Sequence, residues 1–215
     1  MKIKWLGHAC FLITSDNGTK LIIDPFVTGG NLQYGEINES ADIIVVTHEH
    51  RDHNNPEAVR GNPEIIKGVV SGETKGIKFR AVASYHDNIG GVQRGANTMF
   101  NFEIDGLNVC HLGDLGHRLN EEQVARLGKI DILIVPIGGY FTIDAEMAND
   151  VCDRLKPRVI IPMHFKTARY SGPIVNADEF LQGKKNATRP DTSEAEFRTG
   201  ELPTNPQIIV LQPAL

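Results

Sequence analysis

Four side chains that can bind a metal ion lie within six consecutive residues of this sequence. His48, His50, Asp52 and His53 follow the β-branched apolar run Ile43–Val46. His48 and His50 are two residues apart, so in an extended segment both imidazoles point to the same face. Imidazole and carboxylate groups are ligands that suit zinc and its first-row neighbours. A polar surface loop is the alternative, but four such groups after a buried strand favour a metal site.

The residues around this cluster predict its position in the fold. The apolar run before it suits a buried strand. Asn55, Pro56 and Glu57 after it are typical of the start of a helix. The cluster is therefore expected on a loop between a strand and a helix, at the carboxyl end of the strand, where open α/β sheets place ligand sites.

The spacing excludes two other metal-binding patterns and resembles a third. The His-Glu-x-x-His pattern of helical metalloproteases needs a histidine where this chain has Asp52. The zinc deaminase pattern needs Pro-Cys-x-x-Cys, which does not occur here. The arrangement His48-x-His50-x-Asp52-His53 resembles the signature of the metallo-β-lactamase superfamily. Within it, the chain is most similar to a branch of small metal-dependent hydrolases related to ascorbate-phosphate lactonase.

The resemblance extends to side chains that follow other predicted strands. It implies that His86, after the strand Ile77–Ser84, is a third histidine ligand. It also implies that Asp114 is a bridging carboxylate and that His164 is the last metal histidine. In the family, an aspartate at the place of Asp24 braces the metal-binding loop and so orients a ligand.

The resemblance implies two metal ions and a hydrolytic reaction. The implied ligands are His48, His50 and His86 for one ion, Asp52, His53 and His164 for the other, and Asp114 between them. A hydroxide shared by two ions roughly 3.5–4 Å apart is then the nucleophile. Asp52 and Asp114 are the implied catalytic carboxylates, and Asp52 also orients the hydroxide.

The metal and the substrate class follow from the same ligand set. Zinc is the first expectation, and manganese and iron tolerate the same ligands. Once the hydroxide and the two carboxylates are counted, about one positive charge remains in the ligand shell. Such a charge favours an anionic substrate or an anionic transition state, and the expected substrate is a small anionic ester, lactone or phosphoester. Thioester and amide hydrolysis also remain open.

Candidate substrate-binding residues lie beyond two of the predicted ligands. Lys166 and Arg169 follow His164 and either form a solvated basic face or recognise an anion. Lys166 is the preferred anchor, because an extended segment turns it to the same side as His164. His117 comes just before a predicted helix and either reaches substrate or lies on the surface.

Three more polar side chains near predicted strand ends have no assigned role in the chemistry. His8 is interpreted as a turn histidine and His111 as a packed core histidine. Asp87 either supports a ligand or lies on an exposed loop. For His8, lining the site is the alternative.

The hydrophobic pattern predicts many short strands and few helices. The predicted strands include Ile3–Leu6, Cys10–Thr14, Lys20–Ile23, Ile65–Ser71, Ile77–Ser84, Thr98–Ile104, Leu107–Leu112, Asp131–Pro136, Val159–Pro162, Glu194–Thr199 and Gln207–Leu211. The predicted helices are Asn120–Leu127, Thr142–Leu155 and Ala177–Gln182. The chain length suits one domain over residues 1–215. The resemblance implies an α/β (α+β) fold, the four-layer αββα sandwich.

Composition excludes several other classes of protein. The formal net charge of −5 gives no basic footprint for nucleic acid, and no apolar run approaches a membrane span. No signal-peptide pattern opens the sequence, so a cytoplasmic location is expected. The three cysteines are scattered, which predicts buried thiols rather than disulfides. The expected partner is a small-molecule substrate, with no nucleic acid or membrane, and a homo-oligomer is left open.

Two alternative functions stay open at this point. One is an iron-dependent redox enzyme of the same fold; the full ligand set and the absence of a flavin domain weigh against it. The other is a non-catalytic module that binds metal or nucleic acid. The intact ligands and the acidic composition weigh against that second alternative.

Overall fold

The central strands are buried on both faces, which explains why their sequences lack polar alternation. The computed structural model describes residues 1–215. In the strand Ile43–Val46, Ile43 and Val45 belong to the main core, whereas Ile44 and Val46 belong to a second, smaller core. Successive side chains of a strand point to opposite faces. Four apolar residues in a row therefore fill the space on both sides of one sheet.

The strands form two sheets. The first has six strands: β1 (Lys2–Gly7), β2 (Cys10–Thr14), β3 (Lys20–Ile23), β4 (Ile43–Val46), β5 (Glu64–Lys67) and β13 (Glu194–Glu196), in the order β13-β1-β2-β3-β4-β5. The second has eight: β6 (Gly72–Thr74), β7 (Ile77–Tyr85), β8 (Ala96–Ile104), β9 (Leu107–His111), β10 (Ile132–Pro136), β11 (Val159–Met163), β12 (Ala187–Thr188) and β14 (Gln207–Ile209), in the order β12-β14-β11-β10-β9-β8-β7-β6. Apolar side chains from both sheets share the main core.

Strand direction brings several carboxyl ends to one edge of each sheet. In the first sheet β3 and β4 are parallel, and β1 runs in the direction of β3 because both are antiparallel to β2. In the second sheet β9, β10 and β11 are parallel. There β7 runs in the direction of β9, because both are antiparallel to β8. The residues that follow these strands therefore collect at the same edge.

The helices lie against the second sheet. α1 (Glu121–Leu127) contacts β7, α2 (Ala145–Leu155) contacts β10, and α3 (Asp178–Leu181) packs on α2. Asn120 caps α1 in a capping box with Gln123. The longest helix has 11 residues, and none of the helices has the length and apolar character needed to cross a membrane.

The predicted sandwich of two sheets is confirmed, but its outer layer over the first sheet is not helical. That face is covered by the segment 26–41, whose Phe26, Leu32, Tyr34 and Ile37 pack on the outer side chains of the sheet. The expected helix after Asn55 is a single 3₁₀ turn, Pro56–Ala58. No side chain of this turn is buried, so it has no apolar stripe that could hold a longer helix in place.

Three other elements differ from the sequence-based prediction. Gly72–Thr74, which lies between two predicted strands, is the edge strand β6 and pairs with β7. The strand predicted over Ile65–Ser71 ends at Lys67. The helix predicted from Thr142 begins at Ala145, because the Asp144 side chain accepts the Met147 N–H at 2.9 Å and caps the helix there.

The Asp144 cap gives a stability prediction. We expect Asp144→Ala to lower the free energy of unfolding by about 0.5–2 kcal/mol, because one N–H of the first turn loses its acceptor. Urea denaturation measures the change. Asp153→Ala, at an exposed position of the same helix, is the matched control and should change stability by less than about 0.5 kcal/mol. Equal effects of the two substitutions would show that the cap contributes nothing specific.

Candidate metal centre

Three histidine side chains from two neighbouring loops form the first ligand group. His48 and His50 follow β4, and His86 follows β7. Their candidate ligand nitrogens all lie within 4.8 Å of one another. His48 and His86 are buried and His50 is exposed, so this group is open to solvent on one side.

A second ligand group lies beside the first. Asp52 and His53 come from the loop after β4, His164 follows β11, and His8 follows β1. One candidate ligand atom of each of these four residues lies within 4.8 Å of the others. Both groups sit at the edge where the strands of the two sheets end.

Asp114 lies between the two groups. Its Oδ2 atom is 3.1 Å from His86 Nε2, 3.2 Å from His53 Nε2 and 3.2 Å from His164 Nε2. The same oxygen is 3.9 Å from His48 Nε2. One buried carboxylate oxygen therefore faces nitrogens of both groups.

The turn that presents Asp114 depends on a glycine. Gly113 has φ +55°, and a β-carbon there would collide with the side chains of Asn97 and Thr47. The Asn97 side chain also accepts the Asp114 N–H at 2.9 Å. A larger residue at position 113 is therefore excluded by both backbone conformation and space.

Asp24 holds the loop that supplies His48 and His53. Its Oδ1 accepts the Thr47 N–H at 2.8 Å, and its Oδ2 accepts the Thr47 hydroxyl at 2.7 Å. Oδ2 also lies 2.8 Å from His53 Nδ1. Because the single Thr47 proton goes to Asp24, the hydroxyl can only accept from His48 Nδ1, which is 3.0 Å away.

These contacts leave the Nε2 lone pairs of both histidines available to a metal ion. Each ring then carries its proton on Nδ1, and its Nε2 atom lies within 3.9 Å of Asp114 Oδ2. Burial, with the nearby His53, lowers the pKa of His48 to about 3, so that imidazole is neutral. Neutral imidazole is the form that binds a metal ion.

The unsatisfied atoms of the site fit a bound cation. His48 Nε2, His53 Nε2 and Asp114 Oδ1 are buried and have no hydrogen-bond partner, which is costly unless another group satisfies them. Burial acts to lower the pKa of His53, yet Asp114 and Asp24 together raise it well above its usual value. The buried carboxylates thus favour a positive charge at this place in the site. Imidazole and carboxylate donors suit zinc, manganese or iron.

His8 lies in the turn between β1 and β2, as the sequence indicated, and its side chain also joins the second ligand group, which was the alternative left open. It is fully buried, its Nε2 lies 3.3 Å from Asp52 Oδ2, and its ring centroid is 4.0 Å from that of His164. The signal that could have identified it was present: a β2–β3 hairpin preceded by β1 gives β1 the direction of β3. His8 therefore follows its strand at the same edge as Asp24.

A cavity of about 390 Å³ opens onto both ligand groups. It is lined by Asn31, Leu32, His50, Asp52, His86, Arg94, Asp114, Phe141, His164 and Tyr170. The segment 26–41 thus contributes two wall residues, and the loops after β7 and β10 contribute Arg94 and Phe141.

Lys166 and Arg169 do not line this cavity. Both line a separate cavity of about 430 Å³ next to Trp5 and Phe165. The reason is the left-handed backbone of His164, which has φ +51° and turns the chain before Lys166. The segment is therefore not extended, and the geometric basis for choosing Lys166 as the anchor fails.

His117 and His111 are also outside the cavity. His117 accepts the Tyr85 N–H at Nε2 and donates from Nδ1 to the Arg118 carbonyl, so both its nitrogens serve the backbone and neither is free for substrate. His111 donates from Nε2 to the Ala9 carbonyl and accepts the Gly113 N–H at Nδ1. It is the packed core histidine that the sequence indicated.

Asp87 is buried and organises the loop after His86. Its two oxygens accept backbone N–H groups at 2.8–3.0 Å from Ile89, Gly91, Gln93 and Arg94. These four bonds fix the path of the loop. This arrangement brings Arg94 to the cavity wall. No motif in the sequence pointed to Arg94.

Comparison with known proteins identifies the family. The model of the β-lactamase superfamily domain matches residues 2–164. The chain belongs to the metallo-β-lactamase superfamily. A crystal structure from Thermotoga maritima, described as a zinc-dependent hydrolase of this superfamily, has a TM-score of 0.80 and 35% identity, and the match covers 98% of this chain and 97% of that one.

Relatives named as metal-dependent hydrolases agree with this assignment. A UPF0173 metal-dependent hydrolase of Pelotomaculum thermopropionicum is 30% identical over 87% of this chain and 93% of its own length. One from Archaeoglobus fulgidus is 33% identical over 83% of this chain and 87% of its own length. This member of the metallo-β-lactamase superfamily is a metal-dependent hydrolase. The narrower kinship with ascorbate-phosphate lactonase stays a prediction.

The contact between Asp24 and His53 gives a prediction about metal affinity. We expect Asp24→Asn to weaken zinc binding about 10–100-fold, because the His53 ring loses the charged acceptor that orients it. Competition with a chromophoric chelator measures the affinity. Asp131→Asn removes another buried carboxylate, one that precedes β10 at the opposite edge of the sheet, and should leave zinc binding unchanged. Wild-type affinity in Asp24→Asn would mean that His53 needs no brace.

Proposed function

We propose that this superfamily member hydrolyses a small molecule at a dinuclear metal centre. The proposed ligands are His48, His50 and His86 for one ion, Asp52, His53 and His164 for the other, and Asp114 for both. The observation that supports two ions most directly is the position of Asp114 Oδ2, within 3.9 Å of nitrogens from both groups. Zinc is the first candidate; manganese and iron remain alternatives.

The ions would supply what hydrolysis needs. When bound, two divalent ions provide a hydroxide nucleophile near neutral pH and a Lewis acid for the scissile group. The surrounding side chains hold the donors in place, and the cavity of about 390 Å³ suits a small molecule better than a polymer.

Asp52 is proposed as the carboxylate that orients water in the cavity. Burial raises its pKa, but the His8 contact and the charge of His53 outweigh this and lower the pKa below its usual value. Asp52 is therefore ionised at neutral pH. Its Oδ2 faces His8, and its side chain is 35% exposed toward the cavity, so the carboxylate can reach water there.

The cysteines support a mechanism without a covalent thiol intermediate. Cys10, Cys110 and Cys152 are all buried and free. Burial raises the pKa of the Cys152 thiol to about 12 and raises the pKa of the other two thiols as well. A buried thiol that stays protonated is a poor nucleophile. None of the three cysteines lines the cavity.

The proposed centre predicts the metal stoichiometry. We expect two zinc ions per chain by elemental analysis after zinc titration of the metal-free protein. His86→Ala and His164→Ala should each bind about one ion, because each removes a ligand from a different group. His117→Ala, a histidine outside the cavity, should keep two. Binding of only one ion by the wild type, with that ion still bound by both His164→Ala and His53→Ala, would contradict the second metal position.

The proposed nucleophile predicts which substitutions abolish turnover. We expect Asp114→Asn and His48→Ala to lower the hydrolysis rate at least about 100-fold, since even residues that only orient a ligand cost 10–100-fold. The assay uses zinc-loaded protein with p-nitrophenyl acetate, dihydrocoumarin and bis(p-nitrophenyl) phosphate. Circular dichroism checks that the variants are folded.

The thiol control completes this test. Cys152→Ala should keep turnover within about twofold of wild type, apart from packing costs. Alkylation of the folded protein with iodoacetamide should also leave the rate unchanged. Loss of activity upon alkylation, with the metal content intact, would point to a thiol nucleophile and contradict the proposal.

A further inference from the structure

Arg94 is the only lysine or arginine that lines the cavity above the two ligand groups. Apart from the candidate ligands, the wall consists of Asn31, Leu32, Arg94, Phe141 and Tyr170. Two of these side chains are apolar, two are neutral and polar, and one is a cation. The wall outside the ligands thus combines an apolar surface with a single positive charge.

The guanidinium of Arg94 has no acidic partner. It forms no ion pair or side-chain hydrogen bond, and its nearest specific contact is the Phe141 ring, with 5.6 Å between the guanidinium carbon and the ring centroid. The two acids in the cavity, Asp52 and Asp114, face histidines instead. A half-buried cation is therefore left available next to the proposed metal centre.

This charge is unfavourable for binding metal ions. Like charges repel more strongly at a partly buried site than in water, so Arg94 acts against two divalent cations in the same cavity. An anion bound between Arg94 and the ions would attract both and so offset that repulsion. The position of Arg94 is thus best explained by an anionic ligand.

The backbone around Arg94 is fixed before any ligand binds. The Arg94 N–H donates to Asp87 Oδ2 at 2.9 Å, and Asp87 accepts three more N–H groups of the same loop. Asp87 directly follows His86, a proposed metal ligand. The loop therefore keeps Arg94 close to the proposed metal centre, and binding a ligand there costs little further backbone entropy.

We propose that Arg94 binds the carboxylate or phosphate group of an anionic substrate whose apolar body contacts Leu32 and Phe141. The hydrolytic part of this inference rests on the proposed function, but the binding part does not. Arg94 takes the recognition role that the sequence suggested for Lys166. The substrate class is a small organic anion with a short apolar or aromatic body.

The test measures binding, so that it does not depend on turnover. Zinc-loaded protein is titrated by calorimetry with benzoate, phenylphosphonate and benzamide. Benzoate and benzamide have nearly the same shape and differ in charge, and phenylphosphonate distinguishes a phosphate preference from a carboxylate preference. The variants are Arg94→Gln, Arg94→Lys and, as a matched loss of charge in the separate cavity, Arg169→Gln.

We expect Arg94→Gln to weaken binding of at least one of the two anions about tenfold or more and to leave benzamide unaffected. Arg94→Lys should recover part of the loss, and Arg169→Gln should behave as wild type. Zinc content and the melting temperature should be the same in all four proteins. The preferred anion is the one for which Arg94→Gln has the larger effect.

Three results would overturn the inference. They are unchanged binding of both anions in Arg94→Gln, an equal loss in Arg169→Gln, and no saturable binding of either anion to wild type. An activity arm separates this inference from the proposed function. If zinc-loaded wild type binds anions through Arg94 but hydrolyses no ester, lactone or phosphodiester, the hydrolytic mechanism fails while the anion site stands.

Discussion

The Asp24 carboxylate is fully buried and accepts hydrogen bonds from the backbone and side chain of Thr47 and from the ring of His53. A buried charge is costly unless it is fully hydrogen-bonded. Here the three contacts offset that cost only if the loop after β4 follows one path. The same path directs His48 and His53 toward Asp114. Asp24 follows β3 and contacts the loop after β4, so the pairing of these two strands fixes the positions of His48 and His53.

Three of the residues at the site have a left-handed backbone although none is glycine. His8, Asp24 and His164 have φ values of +53°, +50° and +51°. Such conformations cost on the order of 1–3 kcal/mol each and persist only where surrounding contacts determine them. The Asp24 N–H donates to the Val45 carbonyl, and the His164 N–H donates to the His8 carbonyl. These two bonds hold Asp24 and His164 in turns that point their side chains into the site.

The family resemblance named most of the candidate ligands that the structure brings together, but it named few of the residues around them. His86, Asp114 and His164 each follow a buried strand or the turn after it, so their convergence needs only the parallel directions of the strands. His8 depends on how β1, β2 and β3 pair, which is a non-local property. Arg94 depends on a loop path set by Asp87. The sequence shows that Asp87 is an acid after a strand. It does not show that four backbone N–H groups of the following loop donate hydrogen bonds to Asp87.

The errors in the prediction have the same origin. Placing Lys166 opposite the substrate assumed an extended segment after His164, and one left-handed residue was enough to send it to another cavity. The helix expected after Asn55 had the correct starting residues but no apolar face to bury. Local signals at the start of an element are thus insufficient where packing or one backbone angle decides the outcome.

The site divides its tasks between two kinds of structure. Candidate ligands follow strands that are paired on both sides, so the sheets fix the positions of these residues. The rest of the cavity wall comes from the segment 26–41 and from the loops after β7, β10 and β11. Substitutions of wall side chains that leave Asp87 and the strand-end residues in place can alter the wall, while the strand pairings that position the ligand groups stay intact. The fold can therefore keep one hydrolytic centre and change its substrate. In this chain the wall offers one cation among apolar and neutral groups, so charge as well as shape contributes to what the cavity can bind.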